Sequence, residues 1–521
     1  VSAPAIALNR FGLGAHLDQS APERPQAWLL EQLDHYDPKP EAIAALPLTA
    51  TIAGNLIDHR QMQRPNRRQG RGQGGGMMPN HPQSPQRRPA GYVPPAMSGE
   101  TMAGEATAAP GRRGRGNVEG EGADGRNPAA QARRMARQQA RAYYTGAVAA
   151  RMQVALTTAT PFPERLVHFW SNHFAVSIDK LPVIGLAGQL EFDAIRPNLL
   201  GRFRDMLQAV ERHPAMLLYL DQAASIGPNS ARGQIAARPE RRRRAGLNEN
   251  LAREILELHT LGVRAGYSQG DVSELARALT GWTVAGLARG AAARLTRMGV
   301  EPGSFVFAER LHEPGSRVIL GRSFGRHGED QASAVLDFLA THPATASHVA
   351  TKLARHFAGD QPPAPLVAKL EASFLKSGGD LPSLYRVLVE APECWVEQPV
   401  KFKTPWEWSV GAMRALGTSN VQPQAVTGLL TQLGQPVWRP GSPAGWDDLA
   451  ASWAGPDAIM RRVEAAERMA GRTNGTVDAR ALAARLFPGA LSGSTAQAIA
   501  RAESPRQGLA LLLVAPESMR R

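Results

Sequence analysis

Leu247, Leu251, Ile255 and Leu258 recur at helical spacing and predict an amphipathic helix running from Gly246 to Val263. At about 100° per residue, Glu249, Arg253 and Glu257 form a stripe opposite the apolar face, while Asn250 and Glu254 run along its border. Similar patterns predict a helix carrying Trp28, Leu29, Leu30 and Leu33, and a long Ala- and Arg-rich helix from Ala129 to Leu156. Pro161-Phe162-Pro163 opens a further helix reaching Phe174, on which His173 shares a face with Leu166, Phe169 and Trp170 while His168 points to solvent or to another helix. The helix opened by His342-Pro343 has Val349, Leu353 and Phe357 on its apolar side, with Lys352 close by. Such a lysine either snorkels or meets a carboxylate.

Local signals mark the ends of elements. Asp271 and Glu274 have capping-box spacing, and Gly281 suits the left-handed position that closes the helix they open. Thr404-Pro405-Trp406-Glu407 is a second capping box with proline at the first helical position, which gives Glu407 a structural role. Phe305-Val306-Phe307 and Arg317-Val318-Ile319-Leu320 predict one short β-hairpin with His312 near its turn. The loop from Gly434 to Trp446 is rich in turn residues, and its Trp438 and Trp446 suit either a sugar ring or a core plug. The fold class is mainly α, a multi-helix globular domain with one short β-hairpin and a long disordered basic insertion.

That insertion spans 60–127, where RRQGRGQGGG, PQRRP and GRRGRG sit among Pro, Gly and Ser with few apolar residues to offset ordering entropy. Residues 1–59 are expected to form the N-terminal helical part of the core, and 128–521 the main helical part that completes one domain. The chain has 521 residues, 43% of them hydrophobic, enough for a large core. Its net charge of +14 comes overwhelmingly from arginine in an Ala- and Gly-rich background. A GC-rich coding sequence produces the same composition, so the charge argues little for a nucleic-acid partner. A solvated charge run is the simplest account of Arg241 to Arg244, with an anionic substrate as the alternative. The single Cys394 excludes a disulfide framework and a cysteine-ligated zinc cluster. No segment is long and apolar enough to span a membrane.

Glu254, at the border of its helix, would have its pKa raised by desolvation if it faced a cleft, and is the first candidate for acid–base chemistry. The Glu249–Arg253–Glu257 row has the spacing of i,i+4 ion pairs. His168 and His173 lie about 140° apart on their helix, as do Glu254 and His259, so neither pair shares a metal. No metal and no cofactor is expected. Phosphate-binding loop, dinucleotide fingerprint, GxSxG elbow and HExxH are all missing from the sequence.

Over nearly its whole length apart from the insertion, the chain resembles the large bacterial domain-of-unknown-function family 1800. The resemblance is carried by LNRFGLGA (Leu8 to Ala15), FWSNHFAVS (Phe169 to Ser177), MLLYLD (Met216 to Asp221), GLNENLAREILELHTLGV (Gly246 to Val263), YSQGDVSELARALTGW (Tyr267 to Trp282), LHEPGSRVILG (Leu311 to Gly321), HPATA (His342 to Ala346), GQPVWRPGSPAGW (Gly434 to Trp446) and the final APESMRR. Ser171 stands where that family often has another His, and Glu313 where it often has Asp. The resemblance implies a secreted or periplasmic, mainly helical protein of undefined biochemical role, with no catalytic residues to carry over.

Two functions compete on the residues alone, while a third reading, a mononuclear metal enzyme using His173 with Glu254, lacks a sequence-local ligand pair. In the first, Glu254, His173 and Glu249 are catalytic, while Asn172, Asn248, Asn250, Glu257, Trp170, Trp282 and Trp446 bind substrate. The protein would then be a hydrolase acting on an extracellular or envelope polymer such as polysaccharide, or on another anionic ligand. In the second, the same polar groups form a structural network in a non-catalytic protein of envelope assembly, export or ligand capture. The sequence leaves the oligomeric state open.

Overall fold

The structure is a computed structural model that describes residues 2–62, 128–236, 246–263, 265–288, 296, 298–399 and 401–521. Helix accounts for 62% and strand for 4%. Segments 1–58 and 135–521 form one compact unit, and 59–134 a second. Of the second, only the ends of the helices Thr49–Met62 and Pro128–Thr157 are described. The expected disordered insertion lies, apart from its first residues, outside the described residues, as do Arg241 to Arg244. Among the described residues no helix is long and apolar enough to cross a membrane.

The hub of the larger unit is the helix Pro161–His173, not the Gly246–Val263 stretch around which the apolar pattern is strongest. Eleven of its side chains are buried, among them Glu164, Arg165, Ser171 and His173. A helix enclosed on almost every side must find partners for its polar groups. Glu164 takes two hydrogen bonds from Arg196, at 3.0 and 2.8 Å. Arg165 donates to the carbonyl of Gly12 at 2.7 Å and pairs with Glu407. Trp170 donates to the Tyr385 hydroxyl at 2.8 Å. Phe11, Phe162 and Phe357 pack as a ring cluster with centroids 5.5 to 6.0 Å apart, next to the turn carrying LNRFGLGA.

The expected helix at Gly246–Val263 is shorter and changes type. Asn250–Glu254 is α-helical, and Ile255–His259 is a π turn. The wheel that placed His259 is therefore invalid past Glu254, because a π turn hydrogen-bonds to i+5 and rotates each following side chain. The end of the turn exposes carbonyls that need donors. His348 Nε2 donates to the Leu258 carbonyl and His173 Nε2 to the His259 carbonyl, each at 3.1 Å. His259 itself is buried, with Nδ1 2.7 Å from Glu211 Oε1.

Two antiparallel hairpins replace the single one expected. β1 (Trp282–Val284) pairs with β2 (Phe305–Phe307), and β3 (Arg317–Ile319) with β4 (Arg322–Phe324). The pairing differs because the turn at Leu320-Gly321, both at positive φ, folds Arg317–Ile319 onto the residues just after it. Phe305–Phe307 is left to the distant Trp282 segment. The capping box before this region is Ser268 with Asp271, not Asp271 with Glu274, since the helix begins at Gln269. Gly281 has φ +94°, as its place past the helix end requires, and the Thr404/Glu407 capping box forms as its spacing predicts.

Candidate functional site

A cavity of about 460 Å³ opens in the larger unit among the helices Pro161–His173, Pro343–Ala358 and Pro405–Ala415, Arg151 of the helix Pro128–Thr157, and the loop running from Gly434 to Asp448. The chain shapes this loop with positive φ at Gly434, Trp438 and Gly445. Trp438 tucks its ring between Tyr144 and Phe192, and its carbonyl accepts from the Ile178 N–H at 3.0 Å. Of the two loop tryptophans, Trp438 is thus largely a core plug with one edge on the cavity, and Trp446 is the more open of the two.

The walls are charged. Arg151 lies over the Trp406 ring, 4.2 Å from its centroid, and pairs with Glu191 at 2.8 Å. Glu407 belongs to its capping box and also pairs with Arg165 and, at 2.9 Å, with Arg521. Burial would raise this carboxyl, but Arg521 and Arg165 overcome it and hold Glu407 well below the carboxylate range. Asp448 is held down in the same way, burial being outweighed by His356, Lys401 and Arg521. The assignment of Glu407 to helix capping was therefore only half of its role.

His356 on the cavity wall is oriented by a carboxylate. Its Nδ1 lies 3.1 Å from Asp448 Oδ2 and 3.4 Å from Arg521 Nη2. An ionised carboxylate only accepts, so the shorter contact places the proton on Nδ1. Nε2 is then a bare acceptor with no hydrogen-bond partner among the described residues. Burial pushes the imidazolium down to about 4, against the pull of Asp448, so the ring is neutral at pH 7. His168 is more constrained. Its Nδ1 accepts from Trp406 Nε1 at 3.2 Å, and its Nε2 lies 3.3 Å from Glu164 Oε1. It therefore faces a neighbouring helix, and burial and then Arg151 lower its pKa.

Lys352 and Arg355 stand on the same helix as His356 and also line the cavity. Neither side chain has a hydrogen bond or ion pair among the described residues, and Arg355 Nε is buried without a partner. Burial pushes the Lys352 ammonium down to about 8, although Asp448 draws it up. The lysine is partly buried and makes no ion pair with a carboxylate among the described residues.

The residues singled out from the sequence divide sharply. His173, Asn172 and Trp446 line the cavity. Burial, then Lys352, His348 and His259, hold His173 well below its ordinary value, and its Nδ1 is an unpartnered acceptor. Trp170 is core. Trp282 is buried on β1 beneath Arg212, whose guanidinium lies 5.2 Å from the ring centroid. Glu254, Glu249, Glu257, Asn248 and Asn250 do not line the cavity. Glu249 binds Ser273 and Gln269 at 2.6 and 2.8 Å and, like Glu257, flanks Arg253 at ion-pair distance. Asn248 accepts from the Asn250 N–H at 2.9 Å as a local cap, and Asn250 is exposed. Glu254 is half-buried, its carboxyl raised by burial, with no hydrogen bond or ion pair among the described residues.

Sequence reasoning missed His356, Asp448, Arg355 and Arg151. A usable signal was present: Lys352, Arg355 and His356 at spacings of three and four on one predicted helix put a cationic and a basic group on one face. Among the described residues no group of three or more His, Cys, Asp or Glu side chains is arranged to hold a metal ion.

A family model described as "Protein of unknown function (DUF1800)" matches residues 6–520. No curated protein and no solved structure matches the chain.

Proposed function

This chain belongs to the DUF1800 family, whose members have no assigned role, and from its own cavity we propose that it is a secreted or periplasmic hydrolase acting on an extracellular or envelope polymer such as polysaccharide. The observation that carries the proposal is His356, which lines a charged cavity, is oriented through Nδ1 by Asp448 and keeps a buried Nε2 without a hydrogen-bond partner among the described residues. An oriented neutral imidazole can take a proton from water or from a sugar hydroxyl. Three carboxylates line the cavity, Glu407, Asp447 and Asp448. Glu407 and Asp448 are held ionised by cations and cannot donate a proton near neutral pH, and Asp447 accepts from the Ser452 hydroxyl, so the pair of free carboxyl groups usual in glycosidases is not available there. The catalytic base is accordingly His356, in place of Glu254.

Purified protein incubated with a panel of bacterial and plant polysaccharides tests this through release of new chain ends. His356→Asn keeps a polar ring-sized group but no base, and activity should fall by about 100-fold or more, the usual contribution of general base catalysis. The wild-type rate should stay level from neutral pH downward and be lost as pH falls through about 4, where His356 takes up its proton. Activity untouched by His356→Asn would sink the assignment. Ligand binding without turnover would favour the second reading, a non-catalytic capture protein. That reading draws on the salt-bridged state of Glu407 and Asp448.

A further inference from the structure

Four cationic side chains line the cavity, and two of them are already committed. Arg151 is paired with Glu191 and Arg165 with Glu407. The other two, Lys352 and Arg355, have no hydrogen-bond or ion-pair partner among the described residues, and both are partly buried in the cavity wall. A cation partly withdrawn from water without a paired counter-charge costs folding free energy, and proteins retain such groups where a ligand supplies the missing charge. The local geometry limits what that ligand is. Lys352 and His356 are four residues apart on the Pro343–Ala358 helix and therefore one turn apart on one face, with Arg355 beside them. An anionic group held by Lys352 and Arg355 thus sits within about one helical turn, roughly 5–6 Å, of the His356 ring. The same cavity is lined by groups that suit a sugar: Trp446, Gln435 and Ser442.

We propose that Lys352 and Arg355 form an anion subsite, and that the ligand of this cavity is a sugar or sugar polymer bearing a carboxylate or sulfate group. The inference rests on the polymer-acting reading above for the position of His356, but it concerns binding and can fail or succeed separately. Arg355 supplies a planar fork for two oxygens of the anion, and Lys352 a point charge that adapts to either anion. Asp448 and Glu407 on the same walls make no ion pair with these cations, because each is already paired with others: Asp448 with Lys401, His356 and Arg521, Glu407 with Arg165 and Arg521.

Calorimetric titration of the full chain carrying His356→Asn, which cannot turn the ligand over, tests the subsite. The probes are oligogalacturonate for a carboxylate, carrageenan oligosaccharide for a sulfate ester, cello-oligosaccharide as the neutral control, and inorganic sulfate. One of the two charged oligosaccharides should bind at least about 10-fold more tightly than the neutral one. Adding Lys352→Met or Arg355→Gln should weaken it by about 10- to 100-fold, the contribution of one charge-assisted hydrogen bond, while thermal unfolding shows that the variants are folded. Tighter binding of oligogalacturonate identifies a carboxylate, and of carrageenan fragments a sulfate. Equal or better binding of the neutral sugar, binding of inorganic sulfate alone, no binding by any probe, or affinity unchanged by both substitutions would overturn the proposal. Charged-sugar binding by a wild-type protein that cleaves nothing would leave the subsite standing and remove only the hydrolase reading.

Discussion

Asn172 and Trp446 are clamped together by two hydrogen bonds. The Asn172 Nδ2 donates to the Trp446 carbonyl at 2.8 Å, and its Oδ1 accepts from the Trp446 N–H at 2.7 Å. The last residue of the aromatic loop is thereby fixed to the central helix, and one side of the cavity with it. The amide that the sequence suggested as a substrate ligand lines the cavity and also positions the loop, through one of its N–H groups and its oxygen.

Asn172→Asp keeps the shape but replaces the donor with a second acceptor facing a carbonyl. The loss should be about 1–3 kcal/mol of stability. Hydrogen exchange at the Trp446 amide should speed up more than exchange in the Pro161–His173 helix. Equal protection at Trp446 in the variant would show that the clamp does not hold the loop.

Gly445, beside the clamp, has φ +84°. A Cβ there would meet the Asn172 carbonyl at 2.3 Å and its Oδ1 at 2.8 Å. Gly445→Ala should therefore cost more than the roughly 1 kcal/mol of a simple left-handed substitution and should reduce ligand affinity by displacing Trp446. Gly441→Ala, with nothing near its Cβ position, is the control and should be close to neutral.

Lys352→Met should stabilise the unliganded protein. Burial depresses this amine from its ordinary 10.5 to about 8, so between those pH values the unfolded chain binds the extra proton and stability rises with pH. Below about pH 8 the folded state bears the full cost, on the order of 2–3 kcal/mol. The methionine variant should melt at a higher temperature at pH 7 and lose this part of the pH dependence. A lower melting temperature would mean that the ammonium is satisfied in the unliganded protein.

Glu254→Gln should leave ligand binding unchanged and stability equal or slightly higher at neutral pH. Its carboxyl is raised by burial, with Glu257 adding to the rise and His259 opposing it. As pH rises through the ordinary glutamate value, the unfolded chain loses its proton first, so this group takes stability away with increasing pH. Urea unfolding of both proteins at pH 4 and pH 7 checks this: the difference should favour the variant more at pH 7. A strongly destabilised variant would reveal a cation partner for Glu254.

The helices and their caps were legible in the sequence because they depend on neighbours within about four residues. Thr404 and Glu407 close on each other, Gly281 takes the conformation its place demands, and the burial of His173 follows from the company of Leu166, Phe169 and Trp170 on one face. The family likewise was readable from local motifs spread over residues 6–520. The π turn at Ile255–His259 was not, since it is held by side chains from elsewhere: His173 and His348 satisfy its last carbonyls. Nor was the partner of Phe305–Phe307, which lies more than twenty residues away in sequence at Trp282–Val284. The site itself was decided only by tertiary structure. His356 and Asp448 are 92 positions apart, and Arg165 and Glu407 are 242 apart. No period or spacing shows whether a charged residue is matched by another that distant. That Lys352 and Arg355 are left unmatched is a property of the whole packed structure, because a charge finds or misses its partner among residues that only the fold brings near.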